Sequence, residues 1–236
     1  MNNLHVITVV KNSIESALIT IDSILTSECT VNFKFYVYND FSSDETKEKL
    51  EIESQKLHFS LINLCDFSSN KSSNLLKIIQ LAQQNAIADK AHLLFIDSDI
   101  VIGTNTIQRL YENAGIHQKV GMISAITTNI HGKITSPFLF TKDFKTGIFE
   151  TKKSLHFCCI ILTYNLLSSI DFRDIKSEKV NINAAISKTA IGKGFFNYLL
   201  TSVQVLYFPH KTSFWSFFNS NSIEQLWQNL TKKHKK

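Results

Sequence analysis

The chain has 236 residues, 44% of them hydrophobic and 19% charged, a balance that fits a folded globular protein and excludes a disordered one. Its formal net charge is +5, but Lys232, Lys233, Lys235 and Lys236 supply four of those charges, so the rest of the chain is close to neutral. That excludes a broad electrostatic footprint for nucleic acid and leaves only a basic tail, while the length suits one sizeable core.

In chain order, His5 to Val10 reads as a strand, and Lys11-Asn12-Ser13 as a turn. Ile14, Ala17, Leu18, Ile21, Ile24 and Leu25 recur at helical spacing behind Ser13, a candidate cap. Phe33 to Tyr38 is a second strand, closed by the polar turn Asn39-Asp40-Phe41-Ser42-Ser43. Ser42 with Glu45 has the form of a capping box for a charged helix reaching about Ser54. Leu57 to Leu64 reads as a third strand and Asn74 to Ala88 as a long helix. Leu93 to Asp97 is a fourth strand, followed by a helix that Thr104 can cap, and Val120 to Ala125 is a fifth. From Thr127 to Lys153 the helical period disappears, and Gly132, Pro137 and Gly147 mark hairpins or loops. Leu155 to Leu162 is again a strand, Asp171 to Asn181 is polar, Ile182 to Ile191 is a helix, and Val203 to Phe208 is a late strand. Ile223, Leu226, Trp227 and Leu230 form an apolar helical stripe before the tail.

Strands alternating with helices predict an α/β fold with a mostly parallel sheet, and such sheets bind ligands beyond the carboxyl ends of their strands. Asn12, Asp40 and Asp97 each fall just after a strand, so three polar turns should meet at one rim. Asp97-Ser98-Asp99 is the most informative of them. Carboxylates are costly beside an apolar interior unless paired or bound to a cation, and Mg²⁺ or Mn²⁺ prefers oxygen ligands. An Asp in this position can also be a turn residue or helix cap.

Cys29, Cys65, Cys158 and Cys159 form no C-x-x-C pair and no zinc-like spacing. Free thiols, with no N-terminal leader, point to a reducing cytoplasm. No apolar run is long enough to span a bilayer.

These segments resemble the family 2 glycosyltransferases of GT-A fold. Val9-Val10-Lys11-Asn12-Ser13 is similar to the family's opening strand and "vyN" turn, and Asp22-Ser23-Ile24-Leu25 to its first helix end. Asn39-Asp40-Phe41-Ser42-Ser43-Asp44-Glu45-Thr46 resembles "DDgSsDeT", and Phe95-Ile96-Asp97-Ser98-Asp99 the D-x-D strand. The resemblance implies a Rossmann-like, mostly parallel sheet flanked by helices, with a smaller acceptor-side mixed sheet. It further implies one domain over 1–236, with a nucleotide-sugar half at 1–126, an acceptor half at 127–218, and a C-terminal helix and basic tail at 219–236. Val10, Asn12, Asn39, Asp40, Asp97 and Ser98 would contact the nucleotide. Asp99, with Asp97 and His210, would hold Mn²⁺ or Mg²⁺. Asn39 stands where the family usually has the first Asp of a pair, so base recognition should differ.

The implied reaction is inverting transfer of a sugar from a nucleoside-diphosphate donor, a UDP-sugar by expectation, to a saccharide or lipid-linked acceptor in surface polysaccharide or glycoconjugate synthesis. A cation would stabilise the leaving diphosphate, and a carboxylate would take the acceptor proton. Glu178 in Ser177-Glu178-Lys179 matches part of the family's acidic "ED" motif, with Asp174 and Asp171 in reserve. Lys179 falls where the usual base Asp would be, which keeps open a catalytically impaired sugar-nucleotide-binding protein. A sugar nucleotidyltransferase is the other alternative, disfavoured because Lys11-Asn12-Ser13 has no glycine. His5, His58 and His92 read as structural, whereas His117, His131 and His156 are unassigned. Phe214, Trp215, Phe217 and Phe218 suit an acceptor groove or the core. The C-terminal stripe and tail suit a packed terminal helix or peripheral contact with anionic lipid.

Overall fold

The computed structural model describes residues 3–69, 74–136, 146–175 and 181–208. In order these form β1 (Asn3–Val10), α1 (Ile14–Leu25), β2 (Phe33–Asn39), α2 (Asp44–Leu57), β3 (Ser60–Asn63), α3 (Leu75–Ala88), β4 (Ala91–Ile96) and β5 (Ile100–Val101). There follow α4 (Thr106–Ala114), β6 (Val120–Thr128), β7 (Ile134–Ser136), β8 (Ile148–Thr151), β9 (Cys159–Leu162), α5 (Tyr164–Ser169), α6 (Ile182–Gly192) and β10 (Phe196–Tyr207).

One sheet runs in the order β3-β2-β1-β4-β9-β6-β10-β5, with β7 on β6 and β8 on β10. Strands β3, β2, β1 and β4 are mutually parallel, and β10 is parallel to β6. Strand β9 runs against both neighbours, β4 and β6. The smaller mixed part is continuous with the main sheet through the long, bulged β10. Every residue of β4 and β6 is buried, which explains why both read as mostly apolar runs: helices cover the two faces. The period of two then sorts their side chains. Leu94 and Ile96 join α1 and α4 through Ile21, Ile24, Ile107 and Leu110. Leu93 and Phe95 join α3, α5 and α6 through Ile79, Ala82, Leu166 and Ile186.

Several elements differ from the sequence expectation. Helix α2 continues to Leu57 and stops at His58, whose φ of 57° is left-handed, so β3 starts only at Ser60. Its cap is Ser43, which accepts from the Thr46 N–H, because Ser42 is used in the neighbouring turn. Asn105, not Thr104, precedes α4. Strand β9 is limited to Cys159–Leu162, since the Leu155 N–H donates to Ser187 Oγ of α6 rather than to a strand. Strand β10 begins well before Val203, and two of its polar side chains bond sideways: Asn197 donates to the Ser187 carbonyl and Thr201 bonds Gly147. Ser13 does precede α1, but its hydroxyl donates to the Lys11 carbonyl instead of capping the helix.

Candidate active site

The carboxyl ends of β1, β2 and β4 form one rim. At the end of β1 the chain turns through Asn12 at a φ of 56°, a left-handed conformation that Asn tolerates. Asn12 Oδ1 accepts from the Ser43 N–H at 2.6 Å, and the Asn12 N–H donates to Ser42 Oγ at 3.1 Å. The Ser42 hydroxyl donates to the Val10 carbonyl, which also receives the Asp40 N–H. The turns after β1 and β2 are therefore stitched together.

Asp40 sits on this frame, only 4% exposed. Asn74 Nδ2, at the start of α3, donates to its Oδ1 at 2.9 Å, and Lys11 Nζ lies 3.4 Å from its Oδ2. The preceding Asn39 points elsewhere. Its amide donates to Asn63 Oδ1 at 2.9 Å and its oxygen accepts from the Ser42 N–H at 3.1 Å, while its side chain is almost fully buried.

At the end of β4, the Asp97 N–H donates to the Cys158 carbonyl, continuing the ladder one step beyond the Ile96–Cys159 pair. Asp97 Oδ1 accepts from the Ser98 N–H at 2.9 Å. The Asp99 carbonyl accepts from the Phe208 N–H after β10, which anchors the far side of the turn. Burial, then the adjacent Asp97 charge, pushes the Asp99 carboxyl up to about 7. Burial, then the two aspartates, pushes the Cys158 thiol up to about 12.

Lys11, Asp40, Asp97, Asp99, His156, Cys158 and Asn183 line one cleft of about 400 Å³, together with Val9, Ser13 and Phe95. A larger cavity, about 790 Å³, lies between α3, α5 and α6 and is lined by Gln80, Arg173, Lys188 and Asp174. The smaller cleft is the candidate site, because the rim carboxylates converge there. Its donor set suits a hard cation: two neighbouring carboxylates offer oxygen ligands, and the penalty on Asp99 from its neighbour's charge is one that a divalent ion would relieve. Among the described residues no third His, Cys, Asp or Glu joins them in a metal-sized cluster.

The structure thus brings Asp40, Asp97, Ser98 and Asp99 together, with Lys11 among them. Three expected nucleotide contacts have other duties. The Val10 side chain is fully buried in the core and its carbonyl is already bonded twice, whereas Asn12 and Asn39 hold turns. Asp174, expected as a reserve base, ends a short 3-10 turn, Phe172–Asp174, and lines the other cavity. Asp171 beside it is engaged by Arg173 through four short hydrogen bonds, the closest 2.6 Å. Glu178, Lys179 and His210 lie outside the described residues, as do Phe214 to Phe218 and the C-terminal stripe and tail. His156, expected only to lie near the acceptor side, lines the cleft, and Asn183 and Leu75 were missed as cleft residues. The only sequence signal was His156 standing in an otherwise apolar approach to β9.

This architecture is that of the GT-A glycosyltransferases, with the D-x-D turn at the end of a central strand. Residues 5–169 match the sequence profile of glycosyl transferase family 2, and the chain belongs to that family. No curated protein matches it. Among solved structures it is similar to GalNAc-T7 with UDP, GalNAc and Mn²⁺, at a TM-score of 0.67 and 12% identity, over 88% of this chain and 44% of that one. It is also similar to residues 1–349 of TarS from S. aureus, at a TM-score of 0.65 and 18% identity, over 92% and 62%. A third likeness is to the mannosyltransferase PcManGT from Pyrobaculum calidifontis with GDP-Man and Mn²⁺, at 0.62 and 11%, over 98% and 64%. The chain spans about half to under two thirds of these structures' length. Among the described residues no helix is long and apolar enough to cross a membrane.

Proposed function

We propose that this chain is an inverting, metal-dependent glycosyltransferase that moves a sugar from a UDP-sugar to a saccharide or lipid-linked acceptor on the cytoplasmic side of a membrane. The observation that carries this reading is the convergence of Lys11, Asp40, Asp97 and Asp99 on one cleft at the carboxyl rim of β1, β2 and β4. Asp40 and Lys11 would bind the nucleoside, with Asp40 held by Asn74 as a fixed acceptor. Asp99 would hold Mn²⁺ or Mg²⁺, with Asp97 on its ribose side. The cation, when bound, offsets the charge that develops on the leaving diphosphate. The structures bound to UDP and GDP-Man support a nucleotide-linked donor. Residues 1–236 would form one domain, with the C-terminal stripe and basic tail as peripheral membrane contact.

A binding-only reading has one observation in its favour: Asp174 does not reach the cleft. A thermal-shift screen with UDP-GlcNAc, UDP-GalNAc and GDP-mannose, each with and without MnCl₂, tests the donor site, and nucleotide release tests turnover. Metal-dependent stabilisation with nucleotide release supports the transferase. Stabilisation without release, across a panel of saccharide acceptors, supports the binding protein, and no response to any donor removes both.

A further inference from the structure

We propose that His156 takes the proton from the attacking hydroxyl, a role that rests on the glycosyltransferase reading above. The sheet order determines how a donor must lie. Strands β2, β1, β4 and β9 are successive neighbours, so Asp40, Lys11, the Asp97–Asp99 turn and the segment before β9 follow one another along the rim. A nucleoside against Asp40 and Lys11, with its diphosphate at the carboxylates, directs the sugar toward that last segment. His156 lies there and lines the same cleft.

The segment is a rigid mount. Leu155 is buried, with its N–H on Ser187 Oγ at 3.1 Å. Phe157 is buried with its ring centroid 5.8 Å from that of Phe95. The Cys158 carbonyl holds the Asp97 N–H. Between these fixed points the His156 side chain is exposed, and among the described residues no hydrogen bond or ring contact engages it.

Among the described residues, the other proton-carrying groups of the cleft are committed. Asp40 serves Asn74 and Lys11. Asp97 and Asp99 are the cation's ligands in the proposed reading. Imidazole is a common general base, and its placement beyond the carboxylates suits an acceptor approaching the sugar face opposite the diphosphate. In the step, the acceptor O–H proton passes to a His156 ring nitrogen while the acceptor oxygen bonds to the anomeric carbon. The bond from that carbon to the diphosphate oxygen breaks, its electron pair leaving on the diphosphate. Imidazolium then returns the proton to solvent. With water as acceptor, the same sequence hydrolyses the donor.

The test uses the full chain with MnCl₂ and UDP-GlcNAc, UDP-GalNAc or GDP-mannose, following nucleotide release to water and to a panel of saccharide acceptors. His156→Gln and His156→Ala should lower kcat by roughly a hundredfold or more, with donor KM within about threefold and an unchanged donor-induced thermal shift. Added imidazole should restore part of the rate to His156→Ala and none to Asp99→Asn. Rates within about threefold of the parent overturn the proposal. So does a lost rate that tracks a lost thermal shift without imidazole rescue, which assigns His156 to donor binding. Donor binding without turnover in the unmodified chain also overturns it and leaves the donor site standing. Absence of any donor-induced shift removes the glycosyltransferase reading itself.

Discussion

Acidification should destabilise this protein through His92, in the strand that carries the Asp97–Asp99 turn. His92 is 5% exposed, and its Nδ1 accepts from the Tyr164 N–H at 2.8 Å, which requires the neutral ring. Burial lowers its pKa from 6.5 to about 4. A lowered folded-state pKa means that the unfolded chain binds the proton first. The stabilising contribution is therefore complete above pH 6.5 and is lost as pH falls toward 4. That lowering corresponds to roughly 3.4 kcal/mol, of which about 2.5 kcal/mol should appear between pH 7.5 and 4.5. His5 is also lowered, mainly by burial, and Asp99 is raised and acts with the opposite sign, so the parent's own pH curve mixes several groups. The difference between the parent and His92→Asn isolates one of them, because Asn can still accept from Tyr164 but does not titrate. Urea unfolding in EDTA, followed by circular dichroism, should show His92→Asn clearly less stable at pH 7.5. That deficit should shrink by about 2.5 kcal/mol at pH 4.5. A deficit constant across this range would refute the assignment of the acid sensitivity to His92.

Three further outcomes follow from the site and the sheet. Asp99→Asn should abolish the Mn²⁺-dependent thermal shift with the responding donor, which for the parent at a hundredfold excess over Kd is about 2.7 kcal/mol, or roughly 5–10 °C; a retained shift moves the cation elsewhere. Asn39→Asp restores the family's usual residue but buries a carboxylate against Asn63 Oδ1 at a position 2% exposed, so urea unfolding should show a loss of about 2–4 kcal/mol with donor preference unchanged. An altered donor preference without that loss would return Asn39 to the nucleotide site. Gly121→Ala in β6 places a Cβ 2.9 Å from Phe195 Cβ and 3.3 Å from the Phe196 carbonyl, both inflexible neighbours, and should cost about 1–3 kcal/mol in the same assay.

Much of the fold was legible because its signals are local. The runs that became β1, β4 and β6 are mostly apolar, as strands largely covered on both faces are, and α1 and α3 carry their apolar residues at helical spacing. Two-residue β5 and six-residue α5 were too short to read, and both depend on neighbours: β5 exists only as a partner of β10, and Thr163 caps α5 while holding the Val120 carbonyl. Hydrophobicity alone overextended the strands at Leu57 and Leu155, where a left-handed helix end and a bond to α6 decided otherwise.

The candidate site divides the same way. Sequence by itself determined that Asp40, Asp97 and Asp99 follow strands, since burial and turn chemistry are written in adjacent residues. It could not tell which neighbouring side chains face the cleft: Val10 turns into the core, and Asn39 spends its amide on Asn63. Nor could it place Asp174, because the packing of α3, α5 and α6 carries that residue to another cavity. Only the tertiary structure inserted β9 antiparallel between β4 and β6, bringing His156 beside carboxylates nearly sixty positions earlier. That adjacency comes from hydrogen bonding across the sheet between distant segments, for which local residue patterns leave no trace.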